Sequence, residues 1–130
     1  MYASILVPII PDHEADTAKA MELARHLASE NGSITAITVL EDLPAYVEAQ
    51  LPPGQRDALR EKLEERMTQA TSAWPGVTTK VVIGHAANTI LDVADAQKSE
   101  CIIITSHRPG LQDYFLGSTG LAFVARQNET

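Results

Sequence analysis

Residues 101–119 read CIIITSHRPGLQDYFLGST. The opening run, Cys101 to Ile104, is apolar and β-branched without interruption, which predicts a strand covered on both faces and so a parallel sheet. Ser106-His107-Arg108-Pro109-Gly110 then breaks the run into a loop. Gly117-Ser118-Thr119 has the pattern of a helix start, and Leu121, Ala122 and Ala125 predict a short last helix behind it. Backbone N–H groups at Gly117 to Thr119 and the positive end of such a helix favour an anion, and the Ser118 and Thr119 hydroxyls add donors. Arg108 supplies charge-assisted bonds nearby. The stretch therefore predicts a phosphate-sized site, although Ser118 also suits the plainer role of helix N-cap.

Outward from this stretch, strands and helices alternate. Ser4 to Ile10 predicts the first strand, with Pro8 near its end, where a missing N–H does least harm. From Ala15 the positions Ala20, Met21, Ala24, Leu27 and Ala28 recur at helical spacing, and Asn31-Gly32 reads as the stop. Ile34 to Leu40 predicts the second strand. Glu41 to Gly54, with Pro44, Pro52 and Pro53, reads as a long irregular connection. A long helix from Gln55 carries the stripe Leu59, Leu63, Met67, Ala70 and Trp74, opposite a charged face of Arg56, Glu61, Lys62, Glu64 and Glu65. Pro75-Gly76 ends it. Thr79 to Ile83 predicts the third strand, and Ala87, Ile90, Leu91 and Ala94 the following helix. The fold expected is α/β, a Rossmann-like doubly wound parallel sheet of four strands with right-handed crossovers. Ligands of such sheets sit beyond the C-terminal strand ends at a topological switch point. That places Pro8 to Asp12, Val39 to Glu41, Gly84-His85 and Thr105 to Gly110 around one site.

Composition narrows the function classes. With 130 residues, 45% of them hydrophobic, the chain has material for one core, so residues 1–130 are expected to form one domain. Apolar runs such as Ile5-Leu6-Val7 fall far short of the about 20 residues a bilayer span needs. The N-terminal Met1-Tyr2-Ala3-Ser4 lacks a signal-peptide pattern, and the lone Cys101 has no internal partner, so a cytoplasmic setting is expected. The net charge of −7, without a basic cluster interleaved with aromatics, argues against nucleic acid as a partner.

Catalytic and metal readings find less support. Asp12, His13 and Asp16 share a helical face at metal-ligand spacing, but acids at a helix start are already favoured by its dipole. His107 beside Arg108 is suited to proton transfer, yet no carboxylate or nucleophile stands at a fixed spacing from it, and a hydrogen-bonding role fits better. His26 and His85 offer less still, and Glu61, Glu64 and Glu65 read as a solvent face. No catalytic residue and no metal site is assigned.

Ile5-Leu6-Val7-Pro8-Ile9, Val82-Ile83-Gly84 with Ile90-Leu91, Ile103 to Pro109 and Leu116-Gly117-Ser118 together resemble the universal stress protein family over nearly the whole chain. Ser106-His107-Arg108-Pro109 followed by Tyr114-Phe115-Leu116-Gly117-Ser118 resembles its F/G-type members more than the A-type. The resemblance implies a flavodoxin-like fold and, as in many members, an ATP or AMP site of regulatory use, with or without Mg²⁺. It carries the adenine and ribose contacts to Pro8, Ile9, Ile10, Val39 and Gly84. It carries the phosphate contacts to Ser106, His107, Arg108, Pro109 and Gly110 and to Gly117, Ser118 and Thr119. Three departures accompany it. Of the family's glycine pattern only Gly117-Ser118 remains, Ile10 replaces the acidic residue after strand one, with Asp12 two places on, and the polar end Arg126 to Thr130 replaces a fifth apolar strand. With that strand missing, strand four would lie at the sheet edge, and its isoleucines would favour a homo-oligomer with a non-standard interface. Besides a nucleotide-binding stress-response module with an unknown protein partner, the residues admit a ligand-free interaction module and a slow ATP hydrolase or self-phosphorylating protein using Ser106, Ser118 or Thr119.

Overall fold

A computed structural model of the chain describes residues 2–41, 43–105 and 121–125, the last segment and Thr105 by their backbone. Strand β1 spans Tyr2–Pro8, helix α1 Glu14–Leu27 and strand β2 Ala28–Glu41. A short helix α2, Ala45–Glu48, lies in the connection to α3, Gln55–Ala70, which leads into β3, Thr78–Gly84. Helix α4, Ala86–Gln97, precedes β4, Cys101–Thr105, and β5 spans Leu121–Ala125.

The sheet runs in the order β3-β2-β1-β4-β5, and β1 to β4 are parallel as the sequence predicts. The chain steps outward from β1 to β2 to β3, so right-handed crossovers put α1 and α3 on the same face. It then returns past β1 to β4, which puts α4 on the other. Strand alternation divides the core accordingly. Ile5, Val7, Ile9, Cys101 and Ile103 pack with Ala20, Met21 and Ala24 of α1 and Met67 of α3. Leu6, Ile37, Val39, Ile102 and Ile104 pack with Ile90 and Ala94 of α4. Burial of both faces is why these strands read as unbroken Ile/Val runs.

Three expectations are corrected. Leu121–Ala125 is a strand, antiparallel to β4 from Cys101↔Ala125 to Thr105↔Leu121, where a short helix was expected. Spacing alone does not separate helix from strand in so short an apolar run, and the free side of β4 decides it. Strand four is thus not the sheet edge, and the sheet has a fifth strand after all. The edge argument for a non-standard oligomer loses its premise.

Helix α1 also stops earlier than Asn31-Gly32: Ala28 is already extended, at φ −73° and ψ 140°. Pairing passes from Tyr2↔Ala28 to Ser4↔Ser33, so β2 takes five residues where β1 takes two. Gly32 lies within this irregularity, where a Cβ would stand 2.8 Å from the Tyr2 carbonyl oxygen. Close backbone approach, not a helix stop, is what this glycine serves.

On α3, Met67 is fully buried and Leu63 half-buried, but Leu59 is an exposed large hydrophobic residue. The helix ends at Ala70, where the Thr71 hydroxyl donates to the Met67 carbonyl at 2.9 Å. Trp74 lies beyond that end.

Candidate functional site

The order of strands places the topological switch between β1 and β4, whose chain connections leave in opposite directions. Pro8 and Ile9 are buried and Ile10 is half-buried. The Ile9 N–H donates to the Ile37 carbonyl at 2.8 Å, and the His13 N–H to the Ile10 carbonyl at 2.9 Å, which turns the chain from β1 into α1.

Register aligns the remaining strand ends beside this turn. Pro8 lies opposite Ile37, Val39 opposite Val82 and Glu41 opposite Gly84. Pro8, Ile9 and Ile10 at the end of β1, Val39 on β2 and Gly84 on β3 therefore form a stepped row toward the C-terminal edge of the sheet, running from the switch point away from β4. The Val39 side chain is committed to the core on the α4 face, so this position presents backbone to the edge. Gly84 faces Thr89 of α4 so closely that a Cβ would stand 2.2 Å from the threonine Oγ1. Ser106, His107, Arg108, Pro109 and Gly110 follow Thr105 in the chain, but they, with Gly117, Ser118 and Thr119, lie outside the described residues. A helix from Gly117 does not extend through residues 121–125, which are strand, so those residues supply no helix dipole to the phosphate site.

Charged side chains rim the row. The Arg56 guanidinium donates from Nη2 to the Glu41 carbonyl at 3.0 Å, and His85 Nδ1 stands 3.9 Å from Glu41 Oε2. Asp12 Oδ2 lies 3.7 Å from Arg66 Nη1, and His13 Nδ1 lies 3.9 Å from Asp16 Oδ2. Asp12 thus reaches toward α3, while His13 lies beside Asp16. These three do not converge on a point, and among the described residues no group of three metal-ligating side chains does. Cys101 is a core thiol, its pKa pushed up to about 11 by burial, which keeps it protonated and unreactive near neutrality.

Three contributors escaped the sequence. Arg56 reads as part of the charged face and Arg60 draws no reading from the sequence, yet both continue the stripe of Leu63 and Met67 at helical spacing and bond to strand carbonyls. That spacing was the available signal. Thr89 gave none, because its contact with Gly84 exists only once β3 and α4 pack. A cavity of about 400 Å³ also opens at the opposite end of the sheet, lined by Arg25, Ser29, Glu30 and Trp74 among others. It lies away from the switch point.

A sequence model of the universal stress protein family matches residues 1–128. Among solved structures, that of the protein MJ0577 is similar at 19% identity and a TM-score of 0.65, covering 82% of this chain and 76% of that one. A universal stress protein family member from Burkholderia pseudomallei is similar at 21% identity and a TM-score of 0.61, covering 87% and 89%. Protein Rv1636 from Mycobacterium tuberculosis is similar at 14% identity and a TM-score of 0.52, covering 90% and 82%. At such identities these structures speak for the fold, and they match the doubly wound sheet described above. Among the described residues no helix is long and apolar enough to cross a membrane.

Proposed function

The chain belongs to the universal stress protein family, and from that premise we propose that it is a regulatory module binding an adenine nucleotide, ATP or AMP, in a stress response. The observation that carries this reading is the switch between β1 and β4, bordered by Pro8 to Ile10 at the end of β1, with Val39 of β2 and Gly84 of β3 further along the same C-terminal edge. Strand ends at a switch point offer backbone groups around a crevice, which suits a flat base and its ribose.

In this reading Pro8, Ile9, Ile10, Val39 and Gly84 contact adenine and ribose. Ser106, His107, Arg108, Pro109 and Gly110, with the backbone N–H groups and hydroxyls of Gly117, Ser118 and Thr119, hold the phosphates, with or without Mg²⁺. Arg108 contributes charge where the family has a permissive glycine. The Ser106-His107-Arg108-Pro109 signature supports the F/G-type subgroup. The protein acts as one cytoplasmic domain and a homo-oligomer, in which nucleotide occupancy changes the Glu41 to Gly54 connection or the oligomer surface offered to a protein partner. In this reading the protein acts by binding, and a slow ATP hydrolase or self-phosphorylating protein using Ser106, Ser118 or Thr119 is the alternative that phosphate release would reveal.

Calorimetric titration with ATP and AMP, with and without Mg²⁺, tests this on the wild type and on Gly117→Val. Binding that the valine abolishes supports the reading. Absence of binding at millimolar nucleotide overturns it in favour of a ligand-free interaction module, and phosphate release above background would favour a hydrolase.

A further inference from the structure

Pro8 stands at the place where the two strands flanking the switch point cease to pair. In a parallel ladder the N–H and C=O of one residue point to the same neighbour, and successive residues alternate between neighbours. The Ile9 N–H donates to Ile37 of β2 at 2.8 Å, so the odd-numbered residues of β1 face β2. The even-numbered residues face β4, in agreement with the Glu100 N–H that donates to the Ser4 carbonyl at 2.8 Å. Pro8 therefore faces β4, and it has no N–H to give.

The pairing follows suit. The β1–β4 ladder consists of Ile5↔Cys101 and Leu6↔Ile102 and stops there. It stops although β1 continues to Pro8 and β4 to Thr105, enough for Val7 and Pro8 to meet Ile103 and Ile104 in the same register. On their other sides both strands stay paired. Pro8 is matched with Ile37 of β2, and Ile103, Ile104 and Thr105 are matched with Phe123, Ala122 and Leu121 of β5. The ladder is thus interrupted on one side only, at the C-terminal ends, and at the switch point.

We propose that Pro8 is a positioning residue whose missing N–H leaves the ladder between β1 and β4 unclosed at their ends, so that those ends can part for an adenine nucleotide seated beyond them. The proposal deepens the nucleotide reading above and rests on it. An N–H at position 8 would donate to the Ile103 carbonyl and extend the ladder to the strand ends, and a ligand that parts those ends would then have to break that bond.

Two variants, Pro8→Ala and Pro8→Val, restore the N–H with different side chains. Two readouts decide the matter: hydrogen exchange of the new amide by NMR, and AMP affinity by calorimetry. Protection of the Ile5 and Ile37 amides reports that each variant folds. The expected result is a position-8 amide as protected as those of neighbouring strand residues in both variants, with AMP affinity lowered about tenfold, the value of one backbone hydrogen bond. An amide that exchanges at loop rates overturns the proposal, whatever the affinity. So does a protected amide with affinity within about twofold of wild type. A wild type that binds no AMP ends the nucleotide reading and the ligand half of this proposal with it, while the amide at position 8 still judges the ladder separately.

Discussion

Arg60 of α3 donates from Nη2 to the carbonyl oxygen of Val81 at 3.1 Å, which places a cation over β3 at the outer edge of the sheet. An edge strand presents unpaired backbone groups, and a charged side chain laid across them discourages pairing with another chain. Lys80 and Thr79 lie along the same strand, and Ile83, an exposed large hydrophobic residue, makes the edge attractive if uncovered. Arg60→Ala is expected to lower stability by about 1 kcal/mol, since this charge-assisted bond is partly open to water. It is also expected to raise the weight-average mass in sedimentation above that of wild type. Unchanged values in both urea unfolding and sedimentation would show that the bond does neither.

Gly84 and Thr89 define a second test. A Cβ at position 84 would stand 2.2 Å from Thr89 Oγ1, so Gly84→Ala forces the Thr89 side chain out of its rotamer or shifts α4 against the end of β3. The expected loss is about 2 kcal/mol, in the range of overpacked cores. Thr89→Ala removes the obstructing hydroxyl, and the double variant should recover a substantial part of that loss. A double-mutant cycle with no coupling would contradict the contact.

The strands were legible because burial on both faces leaves runs such as Ile5-Leu6-Val7 and Ile102-Ile103-Ile104, and the helices because Ala20, Met21, Ala24 and Met67 repeat at helical spacing. Segments that take their conformation from a distant partner were not. Ala28 to Ser33 is polar and reads as a helix end, but it is extended alongside Tyr2. Leu121–Ala125 follows the free side of β4 rather than its own spacing. The site divides along the same line. Pro8 to Ile10, Val39 and Gly84 could be placed because strand ends locate themselves once the strands are assigned. Arg56 and Arg60 could not, because a charged residue on a helix reads as solvated unless one knows that the helix overhangs strand carbonyls.

Thr17 of α1 is 3% exposed, and among the described residues its Oγ1 has no hydrogen-bond partner. A buried hydroxyl without a partner has lost its bonds to water and gained nothing for them. Thr17→Val keeps the shape and removes the polar atom. It is expected to stabilise the protein by about 1 kcal/mol in denaturant unfolding. A destabilised valine variant would mean that the hydroxyl is bonded in solution.

The thiol of Cys101 makes stability depend on alkaline pH. It is fully buried, and desolvation of the thiolate raises its pKa from 9.0 to about 11 in the folded protein. The unfolded chain therefore releases this proton first as pH rises. Below pH 9 both states hold the proton and the thiol adds no slope. Between pH 9 and 11 the unfolded state binds fewer protons than the native state, so unfolding stability falls with pH. The loss approaches about 2 kcal/mol by the upper end of that window. Urea unfolding across it should show a decline that Cys101→Ala reduces, since alanine carries no proton to lose. The alanine variant starts from lower stability, because it leaves a small cavity in the core between α1 and the sheet. The comparison is therefore one of slopes. Equal slopes in the two proteins, or a wild-type thiol that reacts rapidly with iodoacetamide at pH 8, would contradict a shielded thiol.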